Sequence, residues 1–287
     1  MQYRELGRTG RHLSVIGFGG ILLKAEPQSE ADRFVSFAVD QGVNYFDVSP
    51  IYGDAEERLG PALKPHRPGV FLACKTRERG AAGAEQELDR SLKRLQTDFL
   101  DLYQLHAMAT TEDVERALGP GGAVELAVKA KEQGKVRHIG FSAHSAEVAV
   151  ELISRFPFET VLLPLNFASY WKGDFGPQVV RAAQGKGIGL LAIKAMARTK
   201  LPEGTDREKT RWPKCWYTPL DEEGIATLAL RFTLSLPVTA AIPPGEKALW
   251  EMALREAQNP RPFTAEDEAL LREVAGRTEP LFATVHS

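Results

Sequence analysis

Four residues in the first part of the chain have side chains suited to moving a proton. The run VNYFDVSPIYG, Val43 to Gly53, carries Asp47 at the end of an apolar stretch and Tyr52 five residues later. VFLACKT delivers Lys75 and LDLYQLHA delivers His106. A buried carboxylate is costly unless something pairs with it. If these runs are neighbouring strands, about 4.8 Å apart, Asp47 and Lys75 can form an ion pair at their ends. The desolvation cost makes stability a poor reason for such a pair, and proton chemistry a better one. A free phenol titrates at about 10, high for a proton donor at neutral pH. A nearby ammonium favours phenolate and lowers that value, while the carboxylate holds the ammonium in place. His106 could then donate to, or orient, a carbonyl oxygen. Singly, each residue has an ordinary explanation: a structural ion pair, a turn tyrosine, a satisfied core histidine. Together they suit delivery of a proton to an oxygen that gains charge while its carbon accepts hydride.

Bringing these groups to one place requires parallel strands that share an end. After a turn signal at GRTG, short apolar segments alternate with longer amphipathic ones. Strands are expected at LSVIGFG, VNYFDV, VFLACK, FLDLYQLH, VRHIGFS, TVLLPLN, IGLLAIK and VTAAIP. Helical periodicity lies between them in SEADRFVSFAVDQG, AEQELDRSLKRLQ, GAVELAVKAKEQG and SAEVAVELISRF. Ser29 and Ser145 suit N-caps, and Gly42 and Gly134 sit where helix C-termini want a left-handed residue. Eight successive β–α units predict an α/β chain closed into a (β/α)8 TIM barrel, whose chemistry gathers at the C-terminal ends of its strands. The opening YRELGRTGRHLSVI reads as an N-terminal β-hairpin, and the end of the chain as a helical extension. No linker divides residues 1–287, so a single domain is expected. An open doubly wound sheet is the alternative, but the first strand runs into GFGGILL rather than a full G-x-G-x-x-G turn.

The formal net charge of −2 argues against nucleic acid as a partner. No apolar run approaches a membrane span, and the start MQYRELGRTGRHLS lacks the apolar core of a signal peptide, so a cytoplasmic protein is expected. Cys74 and Cys215 read as two reduced thiols. His12, His66, His138 and His286 are scattered without ligand spacing, and no metal site is expected.

In the blocks GFGG, GVNYFDVSPIYG, LACKT, LDLYQLH, GKVRHIGFSAHS and VTAAIPPG the chain resembles the aldo-keto reductase family, in family order and over nearly its whole length. The resemblance implies that Asp47, Tyr52, Lys75 and His106 are a catalytic tetrad, with Tyr52 the general acid. It implies a nicotinamide cofactor, NADP(H) before NAD(H), extended across the barrel mouth without a Rossmann domain. It implies a small-molecule carbonyl or alcohol substrate and direct hydride transfer. Cofactor contacts are expected at Gly19, Gly20, Asp47, Ser142, Asn166, Lys194, Gly245 and Lys247, and substrate contacts at Tyr52, His106, Trp212 and Trp216. Some relatives are non-catalytic regulatory subunits on the same barrel, a reading that the intact tetrad disfavours.

The cofactor side departs from the family pattern. Family members commonly hold the carboxamide with a Ser-Asn pair and a Gln; here Ala143 follows Ser142, and Leu162 takes the Gln position. Ile193 stands where an aromatic residue often stacks on nicotinamide. The last segment reads AIPPGEKALWEMALRE, where Pro244 and Gly245 could present amides to a phosphate at a helix N-terminus. Lys247 or Arg255 could neutralise that phosphate, and Glu246 would repel it if it pointed inward. The longest irregular stretch, Arg198 to Leu220, contains Trp212, Trp216 and Tyr217. It is expected to rise from the catalytic face, either as a substrate-binding lid or as a rim excursion.

Overall fold

Two short strands, β1 (Tyr3–Glu5) and β2 (His12–Ser14), pair antiparallel at the start of the chain, as expected. Between them Gly7 has φ +51°, and a Cβ there would lie 2.3 Å from the Gly189 amide nitrogen. Only glycine lets the hairpin turn come so close to the barrel floor. Leu6 and Leu13 of the hairpin then join the interior core with Tyr45, Phe71, Leu102 and Leu191. The hairpin is the plug that closes the N-terminal end.

In this computed structural model, residues 1–284 are described; His286, among the scattered histidines, lies outside them. The barrel strands are β3 (Phe18–Gly19), β4 (Tyr45–Asp47), β5 (Phe71–Thr76), β6 (Leu100–Met108), β7 (Val136–Ala143), β8 (Thr160–Pro164) and β9 (Gly189–Ile193). The eighth barrel strand, β12 (Ala240–Ile242), follows a two-stranded ribbon of β10 (Ala197–Lys200) and β11 (Tyr217–Pro219). All eight barrel strands run parallel in chain order. A bridge between Ile16 and Ala241, with Gly17 N donating to Ala241 O at 2.9 Å, joins the last strand to the first.

The helices α1 (Gln28–Asp40), α2 (Ala55–Leu63), α3 (Ala81–Arg94), α4 (Thr111–Leu118), α5 (Ala123–Glu132) and α6 (Ala146–Arg155) follow the first strands. They continue as α7 (Phe167–Trp171), α8 (Pro177–Gly185), α9 (Glu223–Ser235), α10 (Lys247–Gln258) and α11 (Ala265–Gly276). Their apolar faces and the outward-facing strand residues form one large buried cluster. The helical extension at the C-terminus is α11, capped by a Thr264/Asp267 box.

Three local expectations are adjusted. Ser29 lies inside the first turn of α1 rather than capping it; Pro27 precedes the helix, and its carbonyl accepts from Glu30 and Ala31. Proline pre-sets that entry backbone. LSVIGFG divides, because Ser14 Oγ donates to Ile16 O at 2.7 Å, and its front half pairs in the hairpin. The stretch 198–220 is closed at its base by the β10–β11 ribbon. Ser145 caps α6 through Val148 N, and Gly42 and Gly134 have φ of +85° and +76°.

The two-residue strand β3 is held from outside by Trp250 of α10. Its indole nitrogen donates to Gly17 O at 3.0 Å, and its ring packs edge-on against Phe18 and Phe34. Trp250→Ala removes that bond and a fully buried ring, which should cost about 3–5 kcal/mol. Urea unfolding of the variant measures it; a loss below about 1 kcal/mol would mean that β3 is held by the barrel alone.

Candidate active site

The register of three adjacent strands assembles the site. Asp47 lies beside Ala73, and Lys75 beside Gln104, so the C-terminal ends of β4, β5 and β6 open on one mouth. There the Lys75 ammonium contacts Asp47 Oδ1 directly and donates to Val48 O at 3.3 Å. Gln104 Nε2 donates to Asp47 Oδ2 at 3.1 Å, and the Tyr45 hydroxyl approaches the same oxygen at 3.4 Å. Asp47 is 3% and Lys75 1% exposed. A pair this dry is tolerable only because further donors and acceptors complete its hydrogen bonding.

Tyr52 and His106 stand around this pair. The Lys75 nitrogen lies 5.8 Å from the centre of the Tyr52 ring, and the Tyr52 and His106 rings meet edge-on at 6.2 Å. Burial raises the Tyr52 pKa above its ordinary value; Lys75 pulls the other way, and Asp47 adds to the rise. The sequence argument anticipated a net lowering. In the protein the lysine's influence has the anticipated sign, and burial outweighs it.

His106 is held by Ser49, whose Oγ lies 3.0 Å from Nδ1. When Ser49 donates to Nδ1, the ring proton resides on Nε2. Burial first, then the Lys75 charge, depress its pKa to about 2. The strand is irregular just beyond: Ala107 has φ +55°, and its amide donates to Ser142 Oγ at 2.7 Å. Left-handed backbone is costly for alanine, so the β6–β7 mouth is shaped at some expense in strain.

One cavity, about 430 Å³, joins these groups. Its wall includes Asp47, Tyr52, Lys75, His106, Ser142 and Lys194, together with Gly19, Gly245 and Trp216. Four expected contacts are placed off that wall. Gly20 packs on Val48, which a Cβ would approach to 2.7 Å. Asn166 caps α7, accepting from Ser169 N at 2.9 Å. Trp212 donates to Asp221 Oδ2 at 3.0 Å. The Lys247 ammonium lies 5.1 Å from the Phe34 ring centre. Glu246 does not act as an inward charge either: Oε1 accepts from Lys214 N at 2.6 Å. Lys214 also donates to Leu22 O and pairs with Glu26, each at 2.7 Å, so the 198–220 segment is fastened across the cavity.

Sequence reasoning missed Gln104, Ser49, Arg77 and Lys214. Alternation along LDLYQLH did contain a signal for Gln104, since Leu102, Gln104 and His106 must share a face. Among the described residues no group of three or more His, Cys, Asp or Glu could hold a metal, and no helix is long and apolar enough to cross a membrane.

A barrel with these four groups at adjacent strand ends defines a class, and the chain belongs to it: the model of the aldo/keto reductase family matches residues 15–248. Family membership makes it an oxidoreductase of the class that reduces carbonyl groups with nicotinamide cofactors. Among curated proteins it is similar to the uncharacterized oxidoreductase YqkF of Bacillus subtilis (strain 168), 24% identical over 93% of this chain and 94% of that one. It is also similar to L-galactose dehydrogenase of Arabidopsis thaliana, 28% identical over 71% and 68% of the two chains. Among solved structures, the aldo-keto reductase AKR11C1 from Bacillus halodurans (holo form) has a TM-score of 0.72, at 24% identity and 96% coverage of each chain. That likeness shows the fold.

With its pKa near 2, His106 stays neutral through the working range. The sign for stability follows. The neutral ring favours folding above about pH 6.5, and that contribution drains away as pH falls below 6.5 toward the folded value. NMR titration of the imidazole should show no midpoint between pH 5 and 8. A midpoint near 6.5 would mean that His106 is solvated and does not act as a neutral donor.

Proposed function

We propose that this protein reduces an aldehyde or ketone to an alcohol, or runs the reverse, with Tyr52 as general acid and NADPH as the preferred cofactor. The observation that carries this reading is the buried Asp47–Lys75 pair beside Tyr52 and His106 in one cavity. Tyr52 keeps its proton until it is needed, because burial raises its pKa. When the proton leaves, the phenolate forms beside the Lys75 ammonium, which favours it. Asp47, fixed by Gln104 and Tyr45, keeps that ammonium in place. His106, neutral with its proton on Nε2, donates to the carbonyl oxygen as charge builds there. The nicotinamide, when bound, supplies hydride to the carbonyl carbon.

The cavity suits such a cofactor. Gly245 leaves room that a Cβ would close, coming within 2.4 Å of Ile21. Lys24 lines the wall and suits a phosphate; Arg207 and Lys214 line it too, and would exchange Glu208 and Glu26 for one. Ser142 Oγ accepts from Ala107 N and retains its own hydroxyl proton to offer a carboxamide. Leu162 and Ala143 offer nothing polar, so the carboxamide is held by fewer groups than the family pattern supplies.

For the 2′-phosphate, which would lie beyond the cavity wall, Lys247 is the first residue of α10; its ammonium would leave the Phe34 ring to meet the phosphate, and the free amides of the helix N-terminus would add to its charge. Arg255 is engaged with Glu223 at 3.6 Å. The preference for NADPH therefore rests on Lys247 and helix-end amides and is modest in size.

Tyr52→Phe should lower kcat by at least about 10²-fold while cofactor affinity is kept. Single-turnover kinetics tests it; a variant that keeps more than half of the chemical rate removes Tyr52 from the role of acid. Dissociation constants for NADPH and NADH, on wild type and Lys247→Ala, test the cofactor assignment. The variant should bind NADPH roughly ten- to hundredfold more weakly and leave NADH little changed. Tighter NADH binding by the wild type would reverse the preference.

A further inference from the structure

Just past Leu105 the backbone of β6 leaves the regular ladder. On the β5 side the pairing ends with Thr76 beside Leu105. On the β7 side Leu105 stands opposite Phe141 and Met108 opposite Ala143, so His106 and Ala107 together face the single residue Ser142. That is a bulge, which bends a strand and re-aims a side chain. Ala107 within it is held at φ +55°. Left-handed backbone is unfavourable for a residue with a Cβ, so the bulge has to be held from outside the strand.

Ser142 Oγ accepts from the Ala107 amide at 2.7 Å and meets half of that need. Arg79, just past the end of β5, meets the other half. Its guanidinium donates from all three nitrogens: Nη2 to His106 O at 2.9 Å, Nη1 to Arg77 O at 3.1 Å and Nε to Asp113 Oδ1 at 2.8 Å. The side chain thus carries the link between β5 and β6 beyond their last paired residues. Asp113 is itself fixed, since Oδ2 accepts from the amides of Ala109 and Thr110 at 3.0 and 3.3 Å. The capping box at the start of α4 uses Oδ2 and the Thr110 side chain, which leaves Oδ1 for the guanidinium. The Arg79 side chain is 11% exposed and stands off the cavity wall.

We propose that Arg79 is a positioning residue for His106, holding the bulge that sets the direction of the imidazole. This rests on the carbonyl-reductase reading above. Without the guanidinium the His106 carbonyl would lose its partner in a largely buried mouth, and an unpaired buried acceptor is costly. Ala107 would gain by leaving the left-handed region, and the imidazole would turn with it. Lysine is no substitute, because one ammonium lacks the planar fork that reaches two carbonyls and a carboxylate at once. If Arg79 only tied the loop to α4, its loss would lower stability and leave the imidazole where it is.

The test uses the full-length protein, with 4-nitrobenzaldehyde and NADPH for turnover. Arg79→Met should lower kcat and kcat/KM together by at least about tenfold, since a misplacement of about 1 Å can cost roughly 10²-fold. In a His106→Gln background the same substitution should change kcat by no more than about twofold, because both changes then act on one group. Nitrogen NMR of the free protein at neutral pH reads the ring directly. In the wild type the two ring nitrogens of His106 should give well-separated shifts, one protonated and one bare. In Arg79→Met the shifts should draw together as the ring exchanges between tautomers. Arg79→Lys keeps the charge beside Asp113, should lose most of the same rate, and carries all three measurements if the methionine variant fails to fold. Wild-type turnover by Arg79→Lys, an equal loss of kcat in both backgrounds, or ring shifts that stay separate in the Arg79 variants overturns the proposal. The reductase reading fails separately. No turnover of any aldehyde or ketone by the wild type, or undiminished turnover by His106→Gln, removes that reading, while merged ring shifts would still show that Arg79 positions the imidazole.

Discussion

The buried contact between Asp47 and Lys75 is the constraint on which the rest of the site depends. Two opposite charges lie almost wholly out of water at the mouth of the barrel. Their mutual attraction barely offsets the desolvation of both, so the surroundings have to complete the account. Gln104, Tyr45 and the Val48 carbonyl do so from β4, β6 and the chain just past β4. A slip of one residue in any of these strands would turn its side chains to the other face and strand a charge. The ion pair thus ties the geometry of the site to the register of the sheet, and the hairpin plug and Trp250 help to fix that sheet from its floor and from its outside.

Around that pair the electrostatics divide cleanly. Burial keeps protons on the phenol of Tyr52 and off the imidazoles of His106 and His144. Both effects arise from disfavoured charge in a dry place. The outcome is a neutral phenol and a neutral imidazole on the wall of one cavity, with the Lys75 ammonium close by. A lower phenol pKa is therefore not needed in the resting site. What matters is that the phenolate, once formed, has Lys75 within reach.

Strand ends were legible from the residues alone because the eight apolar runs are short, bounded by turn residues and separated by amphipathic segments. The meeting of Asp47, Lys75 and His106 was legible for the same reason: each stands near the end of such a run, parallel strands bring their ends together, and Tyr52 follows in the turn after Asp47. What escaped the sequence are contacts between residues far apart in the chain. Alternation in LDLYQLH puts Gln104 on the face of His106 without naming Asp47 as its partner, and nothing near Val48 says that Ser49 meets His106. Ala107 carries no hint of a left-handed backbone, since alanine is not the residue expected there. Trp212 sits in the same aromatic loop as Trp216, yet its indole turns to Asp221 while Trp216 lines the cavity. The two cannot be told apart before the ribbon is folded.

The ribbon also shows why residues that look suited to a ligand can serve the protein instead. Glu246 stands at the N-terminus of α10, a position where an acidic side chain would oppose a phosphate. It accepts from the Lys214 amide, while the Lys214 ammonium reaches Leu22 and Glu26 in the neighbouring segment after β3. The two contacts anchor Lys214, in the segment between the ribbon strands, to the chain after β3 and to the start of α10. The ammonium anchor is not a strong lock, because Lys214 is only partly buried and an ion pair of that kind contributes little in water. The ammonium contact is weak enough to exchange for others, and the two contacts occupy Glu246 and Glu26, the carboxylates that would otherwise oppose an anionic ligand. Fastening the segment and removing a misplaced carboxylate from the cavity are one and the same arrangement.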